Sequence, residues 1–181
     1  MQAVLELKRY NNDRRQMDIA MAIWKGDREG FPEFRWDVLS QDVSRLRAAE
    51  ALALSLRYGD PDVPVDVPEL RLFSLSRLES RDVGVRLAAV TTLMVMADGS
   101  TVKALVRYAL DHRQDTDVYD YIVTGLSAVC GKPAADGVAR LLEVLPEGMQ
   151  RQRLTGRVDY IYDMFRRDRR CDVPANRPLG G

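Results

Sequence analysis

Two stretches of this chain follow one plan, and that repetition limits the possible folds more than any other feature. VRLAAVTTLMVMADGSTVKALVRYALDHRQDTD, from Val85, and VYDYIVTGLSAVCGKPAADGVARLLEVLPEG, from Val118, each read as an apolar helix, a short glycine-bearing turn, an amphipathic helix and a polar link. A repeat of this length hides its apolar face against its neighbours, because a single unit has nothing else to bury it on. Val85, Ala88, Ala89 and Leu93 recur at helical spacing, as do Val118, Ile122 and Leu126, so each leading helix carries a broad apolar stripe. In the second helices Val102, Leu105, Val106 and Ala109 answer to Val138, Leu141, Leu142 and Leu145, the spacing of a core-facing surface. Turn residues fix the expected boundaries. Asp98-Gly99 ends one helix and Ser100 caps the next, while Gly131-Lys132-Pro133 closes its counterpart and sets a proline near a helix start.

A looser copy begins near Asp42. LRAAEALALSLRYGD, from Leu46, turns Leu46, Ala49, Ala53 and Leu56 inward. The link PDVPVDVP follows, and its prolines forbid helix until Pro68 can open the next one. PELRLFSLSRLES then supplies a partner helix through Leu70, Phe73, Leu75 and Leu78. The acid-valine pairs Asp42-Val43, Asp82-Val83 and Asp117-Val118 recur at a period suited to helix pairs.

The string D-V-x-V-R-x-A-A from Asp82, with its leucine, D-G turn and V-x-x-L-V helix, resembles a HEAT repeat of the short type found in phycobilin lyases. The resemblance covers residues 42 to 147 and is closest in the unit from Asp82. It departs from the pattern where Tyr119 replaces the family's arginine, and where the acid of the first copy is displaced relative to Arg47. What it implies is an all-α fold, a right-handed, armadillo-like α-solenoid of about three HEAT-like helix pairs. Residues 41–147 would be the repeats, with an N-terminal helical cap at 1–40, a C-terminal capping helix at 148–170 and a flexible tail at 171–181. The caps have residues suited to that task. Met17, Ala20, Met21 and Trp24 form one stripe of a helix from Asp13 to Trp24, with Ile19 and Ile23 beside it, and Phe31, Phe34, Trp36 and Leu39 are expected to fold over the open edge. Leu154, Val158, Ile161, Tyr162 and Phe165 give the last helix one apolar face.

Composition narrows the function classes. A hydrophobic share of 46% and a charged share of 30% suit a folded soluble chain. No apolar run reaches the roughly 18 residues of a spanning helix. Glu6, Lys8 and Arg9 stand where a secretory signal needs apolar residues, so a cytoplasmic location and no membrane contact are expected. Cys130 and Cys171 fall outside any CxxC, and the sole histidine, His112, sits beside Arg113 where a helix end exposes carbonyls. The formal charge is zero, yet the part from Gly148 onward holds eight arginines against four aspartates. That end reads as a solvated helix and tail, or as a contact for nucleic acid or an acidic partner.

No phosphate loop, dinucleotide fingerprint, HExxH, nucleophile elbow or calcium loop is present in the sequence. The acidic groups Asp60/Asp62/Asp66 and Asp115/Asp117/Asp120 fall in the proline-rich link and at a helix start, where acids suit the helix dipole. Neither a catalytic residue, a cofactor nor a metal is therefore expected. In a solenoid the second helices line the concave face. Lys103, Arg107 and Asp111 follow one another along the outer side of one such helix, and Arg140 and Glu143 take comparable places on the next. Tyr119 and Tyr121 point in different directions on a helix, so at least one is exposed as a contact residue. These seven residues are the expected partner-binding set of a non-catalytic scaffold or adaptor, of the accessory or immunity type, that holds a protein in its groove. The alternative is a nucleic-acid binder similar to the HEAT-like alkylpurine DNA glycosylases, which the excess of acid over base between Asp42 and Glu147 opposes. A tetrapyrrole-handling role, as in the phycobilin lyases, has no legible pigment site. Leu179-Gly180-Gly181 resembles a ubiquitin-like terminus, but the body lacks the strand alternation of that fold.

Overall fold

A computed structural model describes residues 14–58, 65–96, 99–126, 132–144, 151–152 and 155–156. Among the described residues the chain is all-helical, with no strand: α1 (Arg14–Lys25), α2 (Trp36–Leu39), α3 (Asp42–Tyr58), α4 (Val67–Arg77), α5 (Val83–Met96), α6 (Gly99–Asp111), α7 (Thr116–Leu126) and α8 (Lys132–Val144). Asp60, Asp62, Cys130, Cys171 and nearly all of the expected capping helix and tail at 148–181 lie outside the described residues. The chain divides into two compact units, residues 1–95 and 96–181.

In the first unit α1, α2 and α4 all pack on α3. Leu46, Ala49, Leu52 and Ala53 are fully buried on α3, and Ala20 and Ile23 on α1. The alanines leave room for close helix approach, while each fully buried leucine or isoleucine contributes about 1.5–3 kcal/mol. Leu56, expected inward, is only half-buried. On α4 the inward line is Leu70 and Ser74, continued by Leu78 at its C-terminal cap, with Phe73 and Leu75 half-buried. Ser74 fits there because its hydroxyl donates to the Leu70 carbonyl at 2.8 Å, so no polar atom is stranded. The aromatic segment expected as a loop contains the short helix α2, and the Trp36 indole donates to the Phe31 carbonyl at 2.8 Å.

Local chemistry sets the helix starts. Asp66 precedes α4 and accepts from the Glu69 amide at 3.3 Å, with Pro68 in the first turn. Asp82 does the same for α5, accepting from the amides of Gly84 at 2.7 Å and Val85 at 3.3 Å. Arg86 then reaches back to the carbonyls of Ser80 at 2.9 Å and Arg81 at 3.1 Å, pinning the link between α4 and α5. Thr92, buried on α5, sets its hydroxyl between the Ala88 carbonyl at 2.9 Å and the Leu46 carbonyl of α3 at 3.0 Å.

In the second unit α6, α7 and α8 each pack on the other two. Val102, Leu105, Val106, Ile122, Leu126, Val138 and Leu141 form the buried set, while Leu142 is half-buried. Helix α6 begins at Gly99, so Ser100 lies in its first turn and not at the cap position expected of it. Its other end is closed by His112, whose amide donates to the Tyr108 carbonyl at 2.9 Å and whose ring stacks on Tyr108 at 4.2 Å.

The tightest constraint is the crossing of α6 and α8. A Cβ placed on Gly137 would stand 2.8 Å from Val106 Cγ2 and 3.2 Å from Val102 Cγ1. Valine is stiff about χ1, so neither methyl can swing aside without moving backbone. Gly137→Ala should therefore lower stability by about 1–2 kcal/mol, even though alanine gains about 1 kcal/mol over glycine in a free helix. Combining it with Val106→Ala should cost less than the two changes summed, measured by urea denaturation. A Gly137→Ala protein melting at or above the parent temperature would refute the close crossing.

Candidate interaction surface

Four residues, His112 to Asp115, join α6 to α7, and such short links make neighbouring helices antiparallel. On α6, Val102 and Val106 face Gly137. Lys103 and Arg107 follow them by one residue, about 100° further round the helix. On α8, Arg140 follows Gly137 by three residues, about 60° short of a full turn. Lys103, Arg107 and Asp111 on α6 and Arg140 and Glu143 on α8 thus stand on the two helices that meet at Gly137, turned away from the residues that make the contact.

All five of those side chains are exposed. The Arg107 guanidinium lies 3.6 Å from the Asp111 carboxylate, with side chains 85% and 59% exposed. A pair so wetted holds neither member firmly and contributes at most about 1 kcal/mol. Among the described residues Lys103, Arg140 and Glu143 enter no ion pair. The strip thus offers three cations and two carboxylates to whatever approaches it.

The two tyrosines separate. Tyr121 is 42% exposed on α7, whereas Tyr119, expected with it in the partner-binding set, is only 5% exposed and is removed from that set. The reason is angular: residues two apart on a helix differ by about 200°, so the burial of one turns the other out. The Tyr119 hydroxyl is buried, and among the described residues it has no hydrogen-bond partner. Burial pushes its phenol above the ordinary value, Asp120 adds to that shift, and Arg113 opposes it.

Sequence reasoning missed a second charged cluster, in the first unit. Trp24 and Phe73 meet edge to face at 5.1 Å, and the Arg45 guanidinium lies over both rings, 5.3 Å from Trp24 and 4.5 Å from Phe73. Arg77 lies 4.6 Å from the same Phe73 ring, and its Nε is 2.7 Å from Asp42, an ion pair rather than an aligned hydrogen bond. Its members come from α1, α3 and α4, and no spacing within one helix signals that meeting.

Among the described residues no group of histidines, cysteines and acids is arranged to hold a metal ion, and no helix is long and apolar enough to cross a membrane. Asp115, one of the acids expected to serve a helix start, accepts from the Val118 amide at 3.5 Å. No protein-family model, curated protein or solved structure matches this chain.

The stranded phenol yields a measurable sign. Tyr119→Phe removes a buried hydroxyl that lacks a partner, so stability should stay level or rise, by about 1 kcal/mol at most. With the folded phenol raised, the unfolded chain ionises first, so a contribution fully present below about pH 10 is lost as pH climbs through the folded value. Thermal melts across that range should therefore show a steeper alkaline decline in the parent than in Tyr119→Phe. Loss of more than about 1 kcal/mol at neutral pH in the variant would mean that the hydroxyl is bonded after all.

Proposed function

We propose that this chain is a non-catalytic protein-interaction scaffold or adaptor, of the accessory or immunity type, that works in the cytoplasm. In this reading its helix pairs are HEAT-like repeats stacked as a right-handed α-solenoid, and the second helices face the partner. The observation that carries the reading is the charged strip on α6 and α8. Five exposed side chains of both signs stand on the two helices that meet at Gly137, joined only by the loose pair of Arg107 and Asp111 among the described residues. Mixed charge of this kind selects a partner of complementary pattern and speeds encounter more than it adds to affinity. Tyr121, exposed on the helix packed against both, is a further contact residue.

Charge reversal at two positions separates this reading from a merely solvated surface. Arg107→Glu and Arg140→Glu should leave the melting temperature within about a degree of the parent, because exposed charges contribute little to stability. Crosslinking in cells of the source organism should capture a protein with the parent chain, and capture should fall at least about tenfold with the double variant. Equal capture by both proteins, or capture of nucleic acid instead, would sink the assignment of this face.

A further inference from the structure

From the first unit we infer a second recognition site: Arg45 receives an acidic side chain of a partner protein, with Arg77 across the Phe73 ring as a second cation. The inference rests on reading the chain as an interaction protein, but on residues separate from the α6 and α8 strip. Arg45 is held in place before any ligand arrives. Its guanidinium lies over Phe73 at 4.5 Å and Trp24 at 5.3 Å, and its Nη2 makes one long hydrogen bond, 3.4 Å, to the Trp24 carbonyl. Stacking orients the planar fork while leaving most of its N–H donors uncommitted. Among the described residues Arg45 forms no ion pair.

The charges do not balance locally. Arg77 sits 4.6 Å from the ring that Arg45 covers, so the two cations are no farther apart than those two ring distances laid end to end. Asp42 at 2.7 Å compensates Arg77, and among the described residues no second carboxylate pairs with Arg45. One incoming carboxylate neutralises the remainder and meets the fork in its preferred bidentate geometry. A phosphate, with more charge than the site lacks, would face repulsion from Asp42. Leu72, the neighbour of Phe73 on α4, is 67% exposed, more than any other large apolar side chain described. The fitting partner is therefore an acidic protein segment that also carries apolar residues, since Leu72 stands about 100° round α4 from Phe73.

The test is fluorescence anisotropy of a labelled peptide of alternating glutamate and leucine, titrated with the full chain at low salt. The parent should bind the peptide, and added salt should weaken that binding. Arg45→Gln should weaken it at least about tenfold, and Arg45→Lys, which keeps the charge but loses the fork and its stacking, should lose most of that affinity too. Circular dichroism of the lysine variant establishes that the loss is not unfolding. Arg107→Glu with Arg140→Glu should bind like the parent, so this site and the α6 and α8 strip stand or fall separately. Parent-like binding by both Arg45 variants, equal binding of an alternating lysine and leucine peptide, or displacement of the peptide by inorganic phosphate would each overturn the inference.

Discussion

The approach of α8 to α6 at Gly137 governs the rest of the second unit. A glycine between Val102 and Val106 leaves only methyl groups between two helix backbones, so the two helices cannot rotate about their axes without overlap. Because that rotation is fixed, so is the direction of every other residue on both helices. The charged strip follows from this: Lys103, Arg107, Asp111, Arg140 and Glu143 are set outward by what Val102, Val106 and Gly137 do inward. The charged strip has a close-packed base, although its own side chains are exposed.

The string that resembles a HEAT repeat has a mechanical account in this structure. Asp82 caps α5, Arg86 ties down the link before it, and Ala88 and Ala89 are buried without exposed area. Each residue type is there for folding: an acid for free amides, a guanidinium for free carbonyls, small residues for close packing. Asp42, the acid of the first copy, lies in the first turn of its helix and pairs with Arg77 on α4. The same pattern position therefore serves within a helix in one copy and between helices in another. Such a pattern carries folding logic, and the chemistry of recognition has to be found elsewhere.

Helix existence and the buried stripes were legible because apolar periodicity records which side of a helix meets the core. Val85, Leu93, Leu105, Ile122 and Leu141 are all buried as their spacing requires. Buried polar residues were not legible. Ser74 and Thr92 lie in the core because each hydroxyl bonds a carbonyl of its own helix, a solution that a count of apolar residues passes over. Spacing separated Tyr119 from Tyr121 but gave no means of choosing the buried one. The cluster of Trp24, Arg45 and Phe73 was hidden for another reason. It exists only once α1 and α4 have both packed on α3, and nothing within any one helix announces it.

A chain with equal numbers of basic and acidic residues has no strong net charge with which to steer a partner from a distance. In the proposed reading recognition comes from local imbalance, and the two candidate surfaces create it in different ways. The α6 and α8 strip spreads charges of both signs over exposed, unrestrained side chains, which favours selection among partners over tight holding. The Arg45 cluster concentrates one excess charge on a guanidinium already immobilised by aromatic rings, so less conformational freedom remains to be lost on binding. Salt should weaken contact at the exposed strip more than at the half-buried arginine, because screening acts most on charges that water already surrounds.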